Sequence, residues 1–157
     1  MTEIRAVAPT DPDDRLLLRE YLGEVIGRYY GRPATEAEID EELAERPYHL
    51  AVTLIAYVDG EPAGCAGLRE ADGYLELKRL YVRPAQRGTG LARLLVAETE
   101  RHAAERGASV IRLETRTDLV EARRLYARLG YTEIPGYGDD PYTDHSFEKR
   151  IARAATW

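Results

Sequence analysis

The sequence predicts an α+β domain, a mixed and mostly antiparallel central sheet flanked by helices, in the order β-α-α-β-β-β-α-β-α-β-β. Three observations predict it. Asp59-Gly60 and Asp72-Gly73 are hairpin signals that divide the middle of the chain into three consecutive strands. Segments with apolar residues at helical spacing lie on both sides of those strands. A Gly-rich turn, Arg87-Gly88-Thr89-Gly90-Leu91-Ala92, joins the third strand to a helix, and the hairpins before it exclude an all-parallel sheet. A length of 157 residues suits a single domain spanning 1–157, with its core over 2–151.

The elements follow in order. Residues 2–8 alternate and read as a strand. Asp11 is placed to cap a helix with Pro12 at its first position. Leu18, Tyr21, Leu22, Val25, Ile26 and Tyr29 then recur at helical spacing as far as Gly31. Thr35 and Glu38 form a capping box for a second, acidic helix that reaches Pro47. The hairpin strands cover 50–59, 61–70 and 74–82, the last stopped by Arg83-Pro84. The Gly-rich turn opens a helix over about 89–106, with Ala92, Leu95, Val96, Thr99 and Ala103 as its buried stripe. A strand over 109–115 precedes a helix with a capping box at Asp118 and Glu121; Ala122, Leu125, Tyr126 and Leu129 face inward and Gly130 ends it. Short strands at 131–134 and 146–151 enclose a Gly/Pro/Asp/Tyr loop over 135–145.

A net charge of −6 weighs against binding nucleic acid over a broad surface, and it is compatible with an amine or cationic substrate. Arginines interleave with acids along 101–106, the pattern of a solvated face. The one cysteine, Cys65, excludes an intrachain disulfide and reads as buried packing. The charged opening Met-Thr-Glu-Ile-Arg is unlike a signal peptide, and no run approaches the ~20 apolar residues of a membrane span. The expected protein is cytoplasmic, with neither membrane nor nucleic acid as partner. His49, His102 and His145 are scattered without ligand spacing, so no metal is expected.

A strand that ends in a tight glycine turn feeding a helix gathers backbone N–H groups beside the positive end of the helix dipole. Such a turn is a seat for an anion. A P-loop would need Gly-Lys-Ser/Thr, which is absent. A dinucleotide fingerprint would need a third glycine in a parallel βαβ unit, but Arg93 stands there and hairpins precede it. Taken alone, the two-glycine turn reads equally well as plain structure. Its neighbours decide. Residues 76–92, Glu-Leu-Lys-Arg-Leu-Tyr-Val-Arg-Pro-Ala-Gln-Arg-Gly-Thr-Gly-Leu-Ala, closely resemble the coenzyme-A-binding core of the GNAT superfamily of N-acetyltransferases. Residues 122–131, Ala-Arg-Arg-Leu-Tyr-Ala-Arg-Leu-Gly-Tyr, resemble that family's other signature.

The resemblance implies the GNAT fold over 2–151, with acetyl-CoA as cosubstrate. The implied reaction is direct acetyl transfer, in a ternary complex, to a primary amine of a small molecule. It sets Arg87, Gly88, Thr89, Gly90, Leu91 and Ala92 against the pyrophosphate, with Arg87, Gly90 and Ala92 in the Arg/Gln-x-x-Gly-x-Gly/Ala pattern. With the frame on Gly88 and Gly90 instead, Ala85 takes the first position. Leu80, Tyr81 and Val82 match the strand end whose backbone pairs with the pantetheine arm and polarises the thioester carbonyl. Leu119 stands where many members carry an Asn that contacts the coenzyme, so that contact is expected to be missing.

Making an amide from a thioester needs a deprotonated amine, and amine pKa values of roughly 8 to 10.4 make a base useful at neutral pH. By period two, Glu76 shares a strand face with Lys78, Leu80 and Val82, and it matches the position where some GNAT proteins carry the base. Its plain reading is a strand carboxylate paired with Lys78. Tyr126 matches the tyrosine that faces the coenzyme sulfur and protonates the leaving thiolate; its plain reading is a core residue whose hydroxyl needs a partner. The resemblance also frames the acceptor pocket with the first two helices and the 135–145 loop. Tyr29, Tyr30, Tyr137 and Tyr142 then supply aromatic walls; Asp139, Asp140 and Asp144 either attract a cation or belong to a solvated acidic loop, Arg79 or Lys78 would equally hold a substrate carboxylate, and His145 is a second candidate base. Two other readings stay open: a non-catalytic acyl-CoA-binding module, which needs neither Glu76 nor Tyr126, and an acetyltransferase for a protein amine. A homodimer is compatible with each.

Overall fold

The computed structural model describes residues 1–45, 49–138 and 140–152. Strand β1 (Thr2–Ala6) leads into helices α1 (Pro12–Tyr30) and α2 (Glu36–Glu45). Strands β2 (Val52–Val58), β3 (Glu61–Ala71) and β4 (Tyr74–Val82) follow, then α3 (Leu91–Glu105), β5 (Val110–Thr115), α4 (Val120–Arg128), β6 (Thr132–Ile134) and β7 (His145–Arg150). This is the expected order, and the seven strands form one sheet arranged β1-β2-β3-β4-β5-β7-β6. All neighbours are antiparallel except β4 and β5, which pair parallel over only Leu75↔Ile111 and Glu76↔Arg112. No described helix is long and apolar enough to cross a membrane.

Local chemistry explains most boundaries. Asp11 caps α1 by accepting from the Asp13 amide at 2.8 Å, and Gly31 ends the helix at φ 70°, where a side chain would be strained. Both arms of the Thr35/Glu38 capping box form, at 2.9 and 3.1 Å. Pro47, the expected end of α2, lies outside the described residues. Asp59 and Gly60 turn the β2–β3 hairpin with positive φ at both positions, as a primed turn requires. The capping box expected at α4 does not form. The Asp118 carboxylate is held by Arg116 through two 2.9 Å bonds, Glu121 pairs with Arg28, and Leu119 takes the cap position without a side-chain bond. A charged guanidinium outcompetes a neutral amide for those carboxylates.

The sheet has two packed faces. Leu54, Ala56, Leu68, Leu77, Ile111 and Leu113 point to the α3/α4 side and meet Leu95, Val96 and Tyr126. Ile55, Tyr57, Cys65 and Tyr81 point to the other side and meet Leu17 of α1. A bulge interrupts this alternation in β4. Gly67 opposes Lys78 and Cys65 opposes Tyr81, so two residues, Arg79 and Leu80, face the single Ala66, and Arg79 takes φ 59°. The expected face shared by Glu76, Lys78, Leu80 and Val82 therefore breaks. Leu75 and Leu77 pack with Val82 and Leu80 on the α3 side, while Tyr81 lies on the α1 side.

The expected apolar stripe of α1 is also divided. At its start the buried residue is Leu17 and not the expected Leu18, which is only partly buried, and Tyr21, Leu22, Val25, Ile26 and Tyr29 border an open cleft. The reason is the gap below them: beyond Glu76 and Arg112, β5 no longer covers β4.

Candidate active site

The gap between β4 and β5 is the floor of a cleft of about 360 Å³. Leu77, Lys78, Arg79 and Leu80 form one wall, and Glu114, Thr115 and Arg116 the other. Leu119, Ala122 and Tyr126 of α4 close it on one side of the sheet, and α1 and α2 frame it on the other. Helix α1 is tied across the opening on both flanks. Glu20 takes Arg83 at 2.6 Å and Glu24 takes Arg87 at 2.5 Å; Arg116 donates to the Val25 carbonyl at 2.7 Å and Arg28 to Glu121 at 3.0 Å. The cleft thus passes through the sheet from the α4 side to the α1/α2 side.

The Gly-rich turn follows β4 in the chain, beyond the cleft-lining residues Leu77 to Leu80. Gly88 and Gly90 hold φ 81° and 86°, and Gly90 begins α3. Among the described residues, the amides from Gly88 to Arg93 donate to no backbone or side-chain acceptor. A cradle of free donors at the positive end of a helix of 15 residues suits an anion. A Cβ added at Gly88 or Gly90 would meet little, so the space above the amides is open. The coenzyme pyrophosphate fits this seat. Leu91 is buried in the core and anchors it, and Thr89 braces the turn by donating to the Gln86 carbonyl at 2.7 Å. Arg87 contributes less directly than expected, since its guanidinium binds the Val82 carbonyl at 2.9 Å and the Glu24 carboxylate. Among the described residues, the β4 edge that faces β5 has no strand partner beyond Glu76, and apart from the Val82 carbonyl held by Arg87 its polar backbone is open to a ligand.

The two sequence-derived catalytic candidates are placed very differently. Tyr126 lines the cleft while its ring packs on Tyr131 and Phe147, at centroid distances of 5.8 and 6.1 Å. No hydrogen bond reaches its hydroxyl from the described residues, and burial pushes its pKa above the ordinary tyrosine range, which keeps the proton in place. Glu76 does not line the cleft. It is 1% exposed and binds Arg69 at 3.0 Å and Lys78 at 3.0 Å, and accepts from the Tyr137 hydroxyl at 2.7 Å. Burial pushes its carboxyl up, but the Tyr137 bond and the two cations outweigh burial and hold it below the usual carboxylate range. A fully bonded carboxylate with lowered pKa is a poor proton acceptor.

Glu76→Gln is therefore expected to lower stability by about 2 kcal/mol, because it leaves Arg69 and Lys78 short of a charge. Urea unfolding measures this. The sign with pH follows from the lowered value: the stabilisation is present above the unfolded pKa near 4.5 and is lost as pH falls through the folded one.

Glu114, absent from the sequence reading, occupies the place in the cleft that Glu76 does not. It is half-buried, accepts a hydrogen bond from the Thr143 hydroxyl, and sits so close to Gly138 that a Cβ there would overlap its carboxylate. The signal was available. Ile111, Leu113 and Thr115 alternate with Arg112, Glu114 and Arg116, and only the first set is buried in full.

The remaining candidates divide similarly. Tyr29, Tyr30, Tyr142, Arg79, Lys78 and Asp140 line the cleft. His145 does not: Nδ1 meets Glu133 at 2.8 Å and Nε2 meets Thr117 at 3.1 Å, outside the cleft. Asp144 accepts from the Thr117 amide, Tyr137 is turned to Glu76, and Asp139 lies outside the described residues. Cys65 packs in the core, where burial pushes its thiol up to about 12. Among the described residues no group of His, Cys, Asp and Glu is arranged to hold a metal.

Known proteins agree with this architecture. The model of the acetyltransferase (GNAT) family matches residues 17–131. An uncharacterized N-acetyltransferase of Schizosaccharomyces pombe is 34% identical over 141 residues, covering 85% of this chain and 83% of its own. A solved structure named as an acyl-CoA N-acyltransferase of Klebsiella pneumoniae superposes with a TM-score of 0.72 at 28% identity, covering 96% of this chain and 98% of its own. The PaiA N-acetyltransferase of Thermoplasma acidophilum, solved in complex with coenzyme A, shares the fold with a TM-score of 0.72 at 19% identity, over 96% and 99% of the two chains. A family match over most of the chain, a relative of similar length and a common fold lead to one conclusion: this chain belongs to the GNAT acetyltransferase family.

Proposed function

We propose that this enzyme transfers the acetyl group of acetyl-CoA directly to a primary amine of a small molecule, both substrates being bound together. The observations that carry the reading are a cleft at the gap between β4 and β5 that opens to the α1/α2 mouth, and an unpaired β4 edge that leads on to the free amides of the Gly-rich turn. Acetyl-CoA supplies an activated thioester carbonyl. The amides from Gly88 to Ala92 hold its pyrophosphate, and backbone donors along Leu80, Tyr81 and Val82 hold the pantetheine arm and polarise the carbonyl. Arg87 adds positive charge beside the turn.

On the acceptor side, Glu114 removes the ammonium proton, directly or through a water. The amine nitrogen bonds to the carbonyl carbon, the carbon–sulfur bond breaks, the Tyr126 hydroxyl gives its proton to the departing thiolate, and the second proton, shed by the nitrogen as it becomes an amide, restores the Tyr126 hydroxyl through solvent. Glu76 acts indirectly in this scheme, by holding Lys78 at the cleft wall. Tyr29, Tyr30, Tyr142 and Arg79 form the acceptor pocket, and His145 has no part in it.

The test is thiol release from acetyl-CoA over a panel of amines, amino acids and peptides, run with wild type and Tyr126→Phe. Wild type should turn over free amines. Tyr126→Phe should keep its melting temperature and lose about 10- to 100-fold in kcat, with acetyl-CoA affinity nearly unmoved. Coenzyme binding without turnover of any amine would make the protein a binding module. Turnover of peptides alone would move the acceptor to a protein. A stable Tyr126→Phe with full activity would show that the thiolate leaves unaided.

A further inference from the structure

The cleft continues past the transfer point toward α2, and its chemistry changes along the way. Next to the gap the lining is apolar, with Leu22, Val25 and Ile26 of α1. At the mouth stand Tyr29, Tyr30 and Tyr142, exposed to 52%, 53% and 47%. Tyr29 meets each of the other two edge to face, at 5.1 and 5.3 Å. Three large aromatic rings held half in water beside a cavity form a recognition surface, since nothing in the core requires them there. Across from them α2 presents Glu38, Glu41, Glu42 and Glu45, a spacing that sets four carboxylates on one helix face.

The charges of the cleft are unequally compensated. Lys78 pairs at 3.0 Å with Glu76, a carboxylate it shares with Arg69, and Arg116 pairs with Asp118 at 2.9 Å, while Arg79 lies in the field of the buried Asp14. Glu38 is committed to Arg32 at 2.9 Å. Glu41 and Glu45 have no ion-pair partner among the described residues. Arg32 and Arg116 already stand over the rings of Tyr30 and Tyr29, at 4.7 and 5.5 Å, so these rings do take cations. With six carboxylates against three cationic side chains in its lining, the cleft stays net negative.

We infer that the acceptor is a linear dication: a primary amine with a second ammonium group at the far end of an alkyl chain. The reactive amine reaches Glu114 at the gap, the alkyl chain lies along Leu22, Val25 and Ile26, and the second ammonium rests between the tyrosines and Glu41/Glu45. This rests on the transferase reading above. The first transfer forms one amide bond and removes one charge, so the product is a monocation. A second transfer would put the neutral amide end against α2, and the reaction stops at the monoacetyl product.

The experiment compares kcat/KM for a linear diamine, the monoamine of equal chain length and the corresponding ω-amino acid, with acetyl-CoA saturating. The diamine should exceed the monoamine by about tenfold or more, the scale of one extra ionic contact, and the amino acid should be the poorest. Raising salt should shrink the preference. Mass spectrometry should find only monoacetylated diamine. Glu41→Gln combined with Glu45→Gln should bring the diamine-to-monoamine ratio close to one, with the melting temperature checking the fold. Equal use of diamine and monoamine, a ratio unmoved in the double variant, or rapid diacetylation would overturn the inference. Efficient transfer to amino acids or peptides with diamines ignored would overturn it and leave the transferase reading intact. Failure to acetylate any amine despite tight acetyl-CoA binding would overturn both.

Discussion

Gly90→Asp is expected to cut coenzyme affinity by at least about 100-fold, with the fold retained. The substitution has two effects. Gly90 sits at φ 86°, where an L-residue costs about 1–2 kcal/mol. The new carboxylate also stands among the free amides from Gly88 to Arg93, where it takes the donors meant for the pyrophosphate and repels its charge. The backbone penalty burdens free and bound protein alike and so lowers stability, whereas the lost donors and the repulsion act on binding and exceed about 3 kcal/mol, each 1.4 kcal/mol being a factor of ten. Calorimetric titration with coenzyme A measures the loss directly, and the coenzyme-dependent rise in melting temperature should vanish with it. Gly90→Ala separates the two effects: it keeps the backbone penalty and adds no charge, so it should lower the melting temperature while coenzyme affinity stays within a few-fold of wild type. If Gly90→Asp binds as tightly as wild type, the seat is elsewhere.

Glu114→Gln is expected to lower kcat/KM about 10²- to 10³-fold at neutral pH. Glutamine keeps the shape beside Gly138 and still accepts from the Thr143 hydroxyl, so stability should change little. What is lost is the proton acceptor facing the amine. The deficit should narrow as pH rises toward the pKa of the acceptor, because more amine then arrives already deprotonated. Coenzyme affinity should hold, since Glu114 lies on the wall across from the β4 edge. A wild-type rate in this variant, paired with a large loss of rate in folded Glu76→Gln, would return the base role to the β4 carboxylate.

Much of this protein can be read from short-range chemistry. The Asp11, Thr35/Glu38, Asp59-Gly60 and Gly31 signals each act within four residues of themselves, and each appears in the structure where local rules place it. The turn at 87–91 was legible for the same reason. Glycines with positive φ before a helix leave free amides whatever the rest of the chain does. Tyr126 could be placed because a helical stripe fixes the face of a residue from its neighbours alone.

Glu76 and Glu114 show where such reading ends. Period two assigns a face only while the strand stays regular, and the bulge at Arg79 is a property of the β3–β4 register, not of β4. Once the faces switch, the partners of Glu76 come from β3 and the 135–145 loop: Arg69 and Tyr137, seven and 61 positions away. The capping box at Asp118 fails for a mixed reason: Arg116, two residues before it, claims the Asp118 carboxylate, and Arg28 arrives from α1 to claim Glu121. The sequence by itself determined the order of elements, the caps of α1 and α2, the family's turn and the inner face of α4, all set by contacts within a few residues. Only the tertiary structure decided which carboxylate faces the gap and which is sealed behind it, because that choice depends on where β5 leaves β4 and on which cations the fold brings near.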